Sequence, residues 1–495
     1  MGQFVIGLDF GTYQTKVCIN HLDKIPSLHE FHEFDKSGNS SLFMPSRVTL
    51  LNNLTFRYGK YAGDDIQQTF NYFKIASAED PIFHLLSEYN KPIYNIEDNF
   101  GEFSPEFLSV IYITSILLEV KEYLKSSNTS VKKKFSLANF FSKSKDPEND
   151  VIELFIRLGV PTEWNKKINI ARRRKFEMIL LVSEILQQQI AYSSERFLIL
   201  KKDELLEMVR SIIEELKDCE DDFTELLNKY KISVSPESAA GLLYLVQTKL
   251  LKTGLYAAID IGGGTSDMSF FNVDYEHRIK YLASESLMVA CNNIYIGCSK
   301  NTNIDQAEIN RIEKEIFTKI DSDKWGNDKD YNQSTNDVKL LINKELKMLF
   351  LNPVCNALFQ KFDWINVLKT FDGKPCIIYG GGIKHPNLKS WDKILVFDNI
   401  STQVNLQPYN VNNFIPNHNK VKNLYSKWSQ DFYMLVVAFG LSYLRHDSEA
   451  EEWDDSQYES TNEEEKLKEV PHPRNEGCYI YDVIERKWYD RKSLK

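Results

Sequence analysis

The chain has 495 residues, 42% of them hydrophobic, which is too many for one compact core and predicts about two to four domains. A formal net charge of −10 argues against nucleic acid as a partner, and no apolar run reaches the length of a membrane span. Seven cysteines without C-x-x-C pairs fit neither a disulfide framework nor a zinc knuckle, and the N-terminus shows no signal-peptide pattern, so we expect a cytoplasmic protein.

The first predicted element is a β-hairpin with an Asp-x-Gly-Thr turn. Its first strand is apolar and ends at Asp9, and Gly11 and Thr12 follow. Glycine lets the backbone turn sharply, so that successive N–H groups can surround phosphate oxygens, and a strand-end carboxylate can hold a hydrated cation beside them. The sequence therefore predicts a phosphate-binding turn at the end of this strand.

A helix is predicted further along. Ser104 is its expected N-cap and Pro105 its first residue, and apolar residues recur at helical spacing as far as Leu124. We expect the helix to end at Tyr123 or Leu124. Residues 126–150 are rich in Ser, Lys and Asn, and this composition predicts an exposed insertion.

The middle of the chain predicts one strand followed by helices. Residues 151–160 are mostly apolar, and we expect a buried strand there. Residues 165–230 contain no Pro or Gly and have Leu and Ile at helical spacing, so we expect two or three helices there. Ser235-Pro236 then opens a further helix, whose first turn carries the carboxylate of Glu237.

The turn pattern of the first hairpin occurs again in a second predicted hairpin. Here the apolar strand ends at Asp260, the glycines of 262–264 and Thr265 form the turn, and Asp267 lies in the returning strand. Because both copies combine a strand-end Asp with a glycine turn, we expect both to contact phosphate groups.

Later elements follow in order. Residues 305–360 predict helices with a polar interruption at 325–336. The strand Cys376–Tyr379 ends in three glycines, Gly380 to Gly382, which leave room for a flat ligand against the backbone.

The C-terminal part has three predicted segments. An apolar helix is expected at 431–444, and the strongly acidic stretch 446–469 reads as a linker or tail. The β-prone residues 478–484 are expected to dock as an edge strand.

The order of these motifs resembles the actin-like ATPase superfamily and, within it, the nucleotide-binding domain of heat shock protein 70. The resemblance spans most of residues 1–444. The five ordered elements that carry it are the Asp9 hairpin, Lys74, the 151–160 strand with the Glu237 helix, the Asp260 hairpin, and the Gly380 turn with the 431–444 helix.

What the resemblance implies is an α/β fold of two lobes, each with a mixed five-stranded sheet and flanking helices, that close over ATP and Mg²⁺ in the cleft between them. The segments expected from it are lobe I at 1–252 with the returning helix 428–444, lobe II at 253–427, an acidic linker at 445–475 and a short tail at 476–495. The 165–230 segment is an insertion that should project from lobe I.

The resemblance also implies roles for the motif residues. Asp9 and Asp260 would bind Mg²⁺ through its waters, and Lys74 would stabilise charge on the transferred phosphoryl group. Glu237 and Asp267 would orient the attacking water. The residues expected to contact ATP or ADP are Gly11, Thr12, Tyr13, Lys16, Gly262, Gly263, Gly264, Thr265, Gly380, Gly381 and Gly382.

Three of these residues also have a plain structural alternative. Lys74 could be an exposed surface lysine, Glu237 a residue that stabilises the helix dipole, and Lys16 a solvated residue at a strand end. Lys16 and the turn Pro236-Glu237-Ser238 are closer to the plasmid-segregating bacterial actins than to the chaperones. Because few and mostly acidic residues follow Leu444, we do not expect the chaperones' peptide-binding domain in this sequence.

Three functions therefore remain open. The preferred one is a slow, chaperone-like ATPase that switches conformation and regulates an unidentified protein partner, bound through residues 165–230 or the acidic tail. The second is a polymerising actin-like ATPase, which bulky insertions would obstruct. The third is a small-molecule kinase of the sugar-kinase branch, for which no general-base Asp or substrate pocket can be assigned.

Overall fold

The protein is described from a computed structural model. The residues that it describes are 2–21, 26–32, 40–61, 63–71, 73–77, 98–135, 152–161, 170–217, 223–247, 251–273, 279–287, 289–299, 306–322, 324–350, 374–389, 406–410, 432–443, 467–471, 478–482 and 487–490. The chain divides into two compact units. Unit 1 comprises 1–244, 301–306 and 435–446, and unit 2 comprises 245–300, 307–434 and 447–495.

Unit 1 contains eleven described strands: β1 (Gly2–Phe10), β2 (Gln14–His21), β3 (Ser27–Leu28), β4 (Phe31–His32), β5 (Ser40–Ser41), β6 (Met44–Pro45), β7 (Arg47–Leu51), β8 (Phe56–Tyr58), β9 (Ile66–Asn71), β10 (Ile152–Val160) and β11 (Ile232–Pro236). Its main sheet is mixed and has the strand order β11-β10-β1-β2-β3. Strand β1 pairs antiparallel with β2 and parallel with β10, and β10 pairs parallel with β11. Smaller sheets pair β4 with β5 and β7 with both β8 and β9, and β6 adds to β2.

Helices supply the rest of the unit 1 core. The helices are α1 (Phe73–Ser77), α2 (Pro105–Phe135), α3 (Ile170–Gln189), α4 (Ser194–Ile199), α5 (Lys202–Lys217), α6 (Phe223–Tyr230) and α7 (Glu237–Gln247). The N-terminus of α2 is as predicted, because the Ser104 hydroxyl accepts a hydrogen bond from the Phe107 N–H. Its predicted end was wrong, since the helix continues through the first part of the expected insertion to Phe135.

The 165–230 segment does not simply project from unit 1. Among the described residues it forms four helices, α3 to α6, where two or three were expected. Helix α3 packs against α2, and the four consecutive residues 179–182 are fully buried. Four consecutive residues of a helix face all sides of it, so the middle of α3 is enclosed by unit 1 and belongs to its core.

Unit 2 has a sheet of the same order and pairing pattern as unit 1. Strand β12 (Gly254–Ile261) pairs antiparallel with β13 (Ser266–Val273), which pairs antiparallel with β14 (Ile279–Leu287). On its other side β12 pairs parallel with β15 (Pro375–Tyr379), which pairs parallel with β16 (Gln407–Asn410). In each unit a central strand therefore has two antiparallel neighbours on one side and two parallel ones on the other.

The helices of unit 2 start with α8 (Cys291–Cys298) and α9 (Gln306–Asp321). The predicted interruption is shorter than expected, since a 3₁₀ turn at 325–327 precedes α10 (Lys329–Leu349). Asp328 caps α10 by accepting a hydrogen bond from the Tyr331 N–H. A short helix, α11 (Pro386–Lys389), follows β15.

The C-terminal elements differ partly from expectation. The predicted apolar helix is confirmed as α12 (Phe432–Tyr443). The segment expected to be an edge strand is instead the central strand β18 (Cys478–Asp482), between β17 (Leu467–Pro471) and β19 (Lys487–Asp490). Strand β17 lies in the stretch expected to be a linker, and the rest of that stretch is outside the described residues.

Candidate functional site

The first hairpin places Asp9 opposite Lys16. The two residues are paired in register across β1 and β2, and the Lys16 Nζ lies 2.9 Å from the Asp9 Oδ2. A Cβ on Gly11 would overlap the carbonyl oxygen of Gln14, so this turn requires glycine at that position. Ser46 fixes the turn from outside: its hydroxyl donates to the Gly11 carbonyl over 2.6 Å and its N–H to the Tyr13 carbonyl.

A second ion pair in unit 1 joins Lys74 on α1 to Glu237 at the start of α7. The Lys74 Nζ lies 2.6 Å from the Glu237 Oε1, and the Lys74 side chain is only 3% exposed. The alternative of an exposed surface lysine is therefore wrong. The Lys74 ammonium also lies 5.7 Å from the centre of the Phe10 ring, within the range of a cation–π interaction.

The two ion pairs of unit 1 belong to one electrostatic cluster. Burial raises the pKa of Glu237 above its ordinary value, the Asp9 carboxylate raises it further, and Lys74 and Lys16 oppose this shift. Two ammonium groups and two carboxylates therefore influence one another at the carboxyl end of β1. Such a cluster can hold an anion through its lysines and can take up or release a proton at Glu237.

The second hairpin repeats the first with one chemical change. Asp260 pairs in register with Asp267, the same spacing as Asp9 and Lys16, so the position of the lysine is taken by a carboxylate. Asp267 is buried and accepts a hydrogen bond from the Ser286 hydroxyl. The Gly262 N–H donates to the Thr265 carbonyl over 2.8 Å and closes the glycine turn.

Helix α8 begins directly against this glycine turn. The Cys291 N–H donates to the Gly262 carbonyl over 3.3 Å, and the Asn292 N–H donates to the Gly263 carbonyl over 2.9 Å. The Asn292 side chain is buried, and neither its nitrogen nor its oxygen has a hydrogen-bond partner among the described residues. A buried amide of this kind costs free energy unless it finds a partner, so the turn has an unmet polar group beside it.

The turn after β15 lies against Asp260. Gly380 has φ = +88°, and a Cβ on it would overlap the Asp260 carboxylate. Its N–H donates to the Tyr433 carbonyl over 2.9 Å. By contrast, a Cβ on Gly381 would meet no atom within 4 Å, so the backbone is open at this residue.

The Gly380 turn gives a direct test of the unit 2 geometry. We expect Gly380→Ala to lower the free energy of unfolding by about 2 to 3 kcal/mol, because a side chain at this φ is strained and the methyl group overlaps Asp260. Gly381→Ala is the matched control and should change stability by less than about 1 kcal/mol. Urea unfolding of both variants measures the difference, and equal losses would contradict the described turn.

Each unit thus collects part of the predicted set. Asp9, Gly11, Lys16, Lys74 and Glu237 lie together in unit 1. Asp260, Asp267 and the two glycine turns lie together in unit 2.

Two residues that lie against the glycine turns of the two units, Ser46 and Asn292, are not predicted by the sequence. Ser46 contacts the first turn from 35 positions along the chain, and nothing in the local sequence indicates that Asn292 is buried.

No protein family matches the chain, and a search of curated proteins finds no match either. Among the described residues, no group of three or more His, Cys, Asp and Glu side chains forms a metal site, and no helix is long and apolar enough to cross a membrane. The motifs and their geometry are therefore the basis on which a function can be argued.

Proposed function

We propose that this chain is an actin-like ATPase, similar to the nucleotide-binding domain of heat shock protein 70, that binds ATP and hydrolyses it slowly. The observation that carries the proposal is the repeat within the chain. Both units have the same sheet order, and in both the central strand has Asp as its next-to-last residue and is followed by a glycine turn. A doubled hairpin of this kind suits a ligand with several phosphate groups.

By charge, the residues of the two units suit a magnesium nucleotide. Asp9 and Asp260 would hold the hydrated cation, and Lys16 and Lys74 would meet phosphate oxygens. The nucleotide, when bound, would supply the phosphoryl group, and Mg²⁺ would offset its negative charge. The open backbone at Gly381 and the unpaired amide of Asn292 offer space and hydrogen bonds to a ligand in unit 2.

Within this proposal, Glu237 prepares the attacking water. Its buried carboxylate is oriented by Lys74, and its raised pKa makes it a stronger base than an exposed glutamate. Asp267, held by Ser286, assists from the second hairpin. Slow hydrolysis would then time a conformational switch that regulates a protein partner, and the exposed faces of α5 and α6 are the candidate contact surfaces.

A polymerising actin-like ATPase is the second candidate, and Lys16 favours it, because a lysine at this position beside Asp9 resembles the plasmid-segregating bacterial actins more than the chaperones. Sedimentation of the purified protein with ATP, with ADP and without nucleotide separates the two. Pelleting that requires ATP supports the polymer. Protein that stays in the supernatant in all three states supports the switch. Phosphoryl transfer to an added acceptor at a higher rate than hydrolysis would support the kinase alternative.

The nucleotide site itself is tested by removing one charge from each hairpin. We expect Asp9→Asn and Asp260→Asn each to weaken magnesium-dependent ADP binding by about 10- to 100-fold, because each removes a carboxylate from the cation shell. Asp64→Asn, at an exposed turn of unit 1, is the control and should bind like the wild type. Titration calorimetry with and without Mg²⁺ provides the measurement, and unchanged affinity in both hairpin variants would refute the site.

A further inference from the structure

Unit 2 contains a buried hydrogen-bond chain centred on His385, which follows the Gly380–Gly382 turn. The His385 ring is fully buried. Its Nδ1 lies 3.2 Å from the Tyr331 hydroxyl, and its Nε2 lies 3.3 Å from the Tyr295 hydroxyl. Tyr295 in turn donates to the Glu313 Oε1 over 3.4 Å. The chain thus links residues of α10, α8 and α9 to the segment after β15.

The hydrogen bonds have a defined direction. Burial, with Lys384 adding a smaller effect, lowers the pKa of His385 to about 3, so the imidazole is neutral and carries one N–H. Because Tyr295 uses its proton toward the Glu313 carboxylate, its oxygen accepts from the Nε2–H of His385. The Nδ1 atom must then accept from Tyr331. The direction is Tyr331 to His385 to Tyr295 to Glu313.

The chain also connects the two glycine turns of unit 2. The backbone N–H of His385 donates to the Gly382 carbonyl over 2.9 Å, so the residue that carries the imidazole is bonded directly to the Gly380–Gly382 turn. At the other end, Tyr295 lies on α8, whose first two N–H groups donate to the carbonyls of Gly262 and Gly263. A shift of the His385 ring would therefore move α8, and with it the Gly262–Gly264 turn, relative to the Gly380–Gly382 turn.

Packing around the ring leaves little freedom for such a shift. The aromatic rings of Tyr295, Phe317 and Tyr331 lie with their centres 5.3 to 5.8 Å from the imidazole. Asn387 provides a second connection from the same segment to α10, since its amide donates to the Asn332 Oδ1 over 2.8 Å and to the Thr335 hydroxyl. An apolar residue would fill the volume but would leave both tyrosine hydroxyls without this partner.

We propose that His385 is a positioning residue that sets the distance and orientation between the Gly262–Gly264 turn and the Gly380–Gly382 turn by bridging Tyr295 and Tyr331. The consequence for ligands rests on the proposed function, in which the first turn holds phosphate and the second holds adenine and ribose. A ligand that spans both turns then depends on His385. A ligand that uses one turn does not.

The first experiment needs no ligand. Hydrogen–deuterium exchange of the Cys291, Asn292 and His385 amides is measured in Tyr295→Phe, Tyr331→Phe and His385→Leu. Ile342→Val, in the buried core of α10, is the control for a general loss of stability. We expect about tenfold faster exchange at these amides in the three variants and less than about twofold in the control, because each variant removes a buried hydrogen bond that holds the turns.

The second experiment compares ligands by calorimetry, with ADP as the ligand that spans both turns and adenosine and pyrophosphate as its separate parts. In Tyr295→Phe and Tyr331→Phe we expect ADP binding to weaken about tenfold and adenosine and pyrophosphate binding to change less than about twofold. Equal weakening of all three ligands, or unchanged ADP binding, would overturn the positioning role.

The two experiments separate this inference from the proposed function. If the wild type binds none of the three ligands, the proposed function fails, and amide exchange alone decides the role of His385. If exchange in the Tyr→Phe variants matches that of Ile342→Val, the positioning role fails whatever the nucleotide affinity is. If His385→Leu does not fold, the test rests on Tyr295→Phe and Tyr331→Phe, which are milder changes.

Discussion

Glu237→Gln is expected to slow ATP hydrolysis by about 10²- to 10⁴-fold while ADP affinity changes little. The amide keeps the shape of the side chain and can still accept a hydrogen bond from Lys74, but it cannot take a proton from water. Single-turnover hydrolysis and equilibrium binding, measured on the same preparation, distinguish the two effects. Loss of nucleotide affinity in parallel with the rate would make Glu237 a structural residue.

The chain provides a matched control for this substitution. Glu184 is also a buried carboxylate paired with a lysine, since the Lys121 Nζ lies 2.7 Å from its Oε2. Glu184→Gln is therefore the matched change, made at a second lysine–carboxylate pair that lies outside the candidate site. Hydrolysis should stay within about twofold of the wild type in Glu184→Gln. A large rate loss in both variants would show that the effect comes from stability alone.

The raised pKa of Glu237 gives two pH dependences of opposite sign. Hydrolysis should rise with pH until the carboxylate is ionised, with an acid limb above the ordinary glutamate range. Stability should fall over the same window, because the folded state binds the proton more tightly than the unfolded state. Below the ordinary glutamate pKa this contribution to stability is fully present, and it is lost as the pH rises through the folded pKa. Glu237→Gln should remove both dependences.

The parts of the fold that the sequence predicts well are those with a local cause. The turn pattern predicts that strands end close to Asp9 and Asp260, and Ser104 and Pro105 predict the start of α2. The predicted end of α2 was wrong. Residues 125–135 are mostly polar, but they contain no Gly or Pro that would end a helix.

Pairings between distant residues are much harder to predict. The Lys74–Glu237 contact joins residues 163 positions apart, and neither local sequence indicates that Lys74 is buried. The hydrogen-bond chain of His385 collects side chains from α8, α9 and α10 in the same way. The Asp9–Lys16 pair is different, because the hairpin register and the equal spacing in the second copy were available in the sequence.

Helix packing in unit 1 also depends on small residues whose importance is visible only in the fold. Helix α12 passes α7 so closely that a Cβ on Gly440 would overlap the carbonyl oxygen of Ala240. A Cβ on Gly7 in β1 would similarly overlap the Ala438 carbonyl. Helix α12 is therefore held between α7 and β1 by two contacts in which backbone meets backbone, and neither contact can relax through a side-chain rotamer.

Gly440→Ala is accordingly expected to lower the free energy of unfolding by about 3 kcal/mol or more, or to prevent folding. In an unhindered helix the same change would stabilise by about 1 kcal/mol, so the sign alone identifies the close approach. Gly326→Ala is the control, since a Cβ there meets no atom within 4 Å. Urea unfolding of both variants measures the difference, and a neutral or stabilising Gly440→Ala would contradict the packing of α12.

The same variant tests how α7 supports Glu237. Ala240 lies one helical turn after Glu237. A methyl group on residue 440 would push α12 and Ala240 apart, and this would displace the start of α7 and the carboxylate of Glu237. If Gly440→Ala folds at low temperature, its hydrolysis rate should fall while Gly326→Ala keeps the wild-type rate. A wild-type rate in a destabilised Gly440→Ala would mean that α7 holds Glu237 through Lys74 without support from α12.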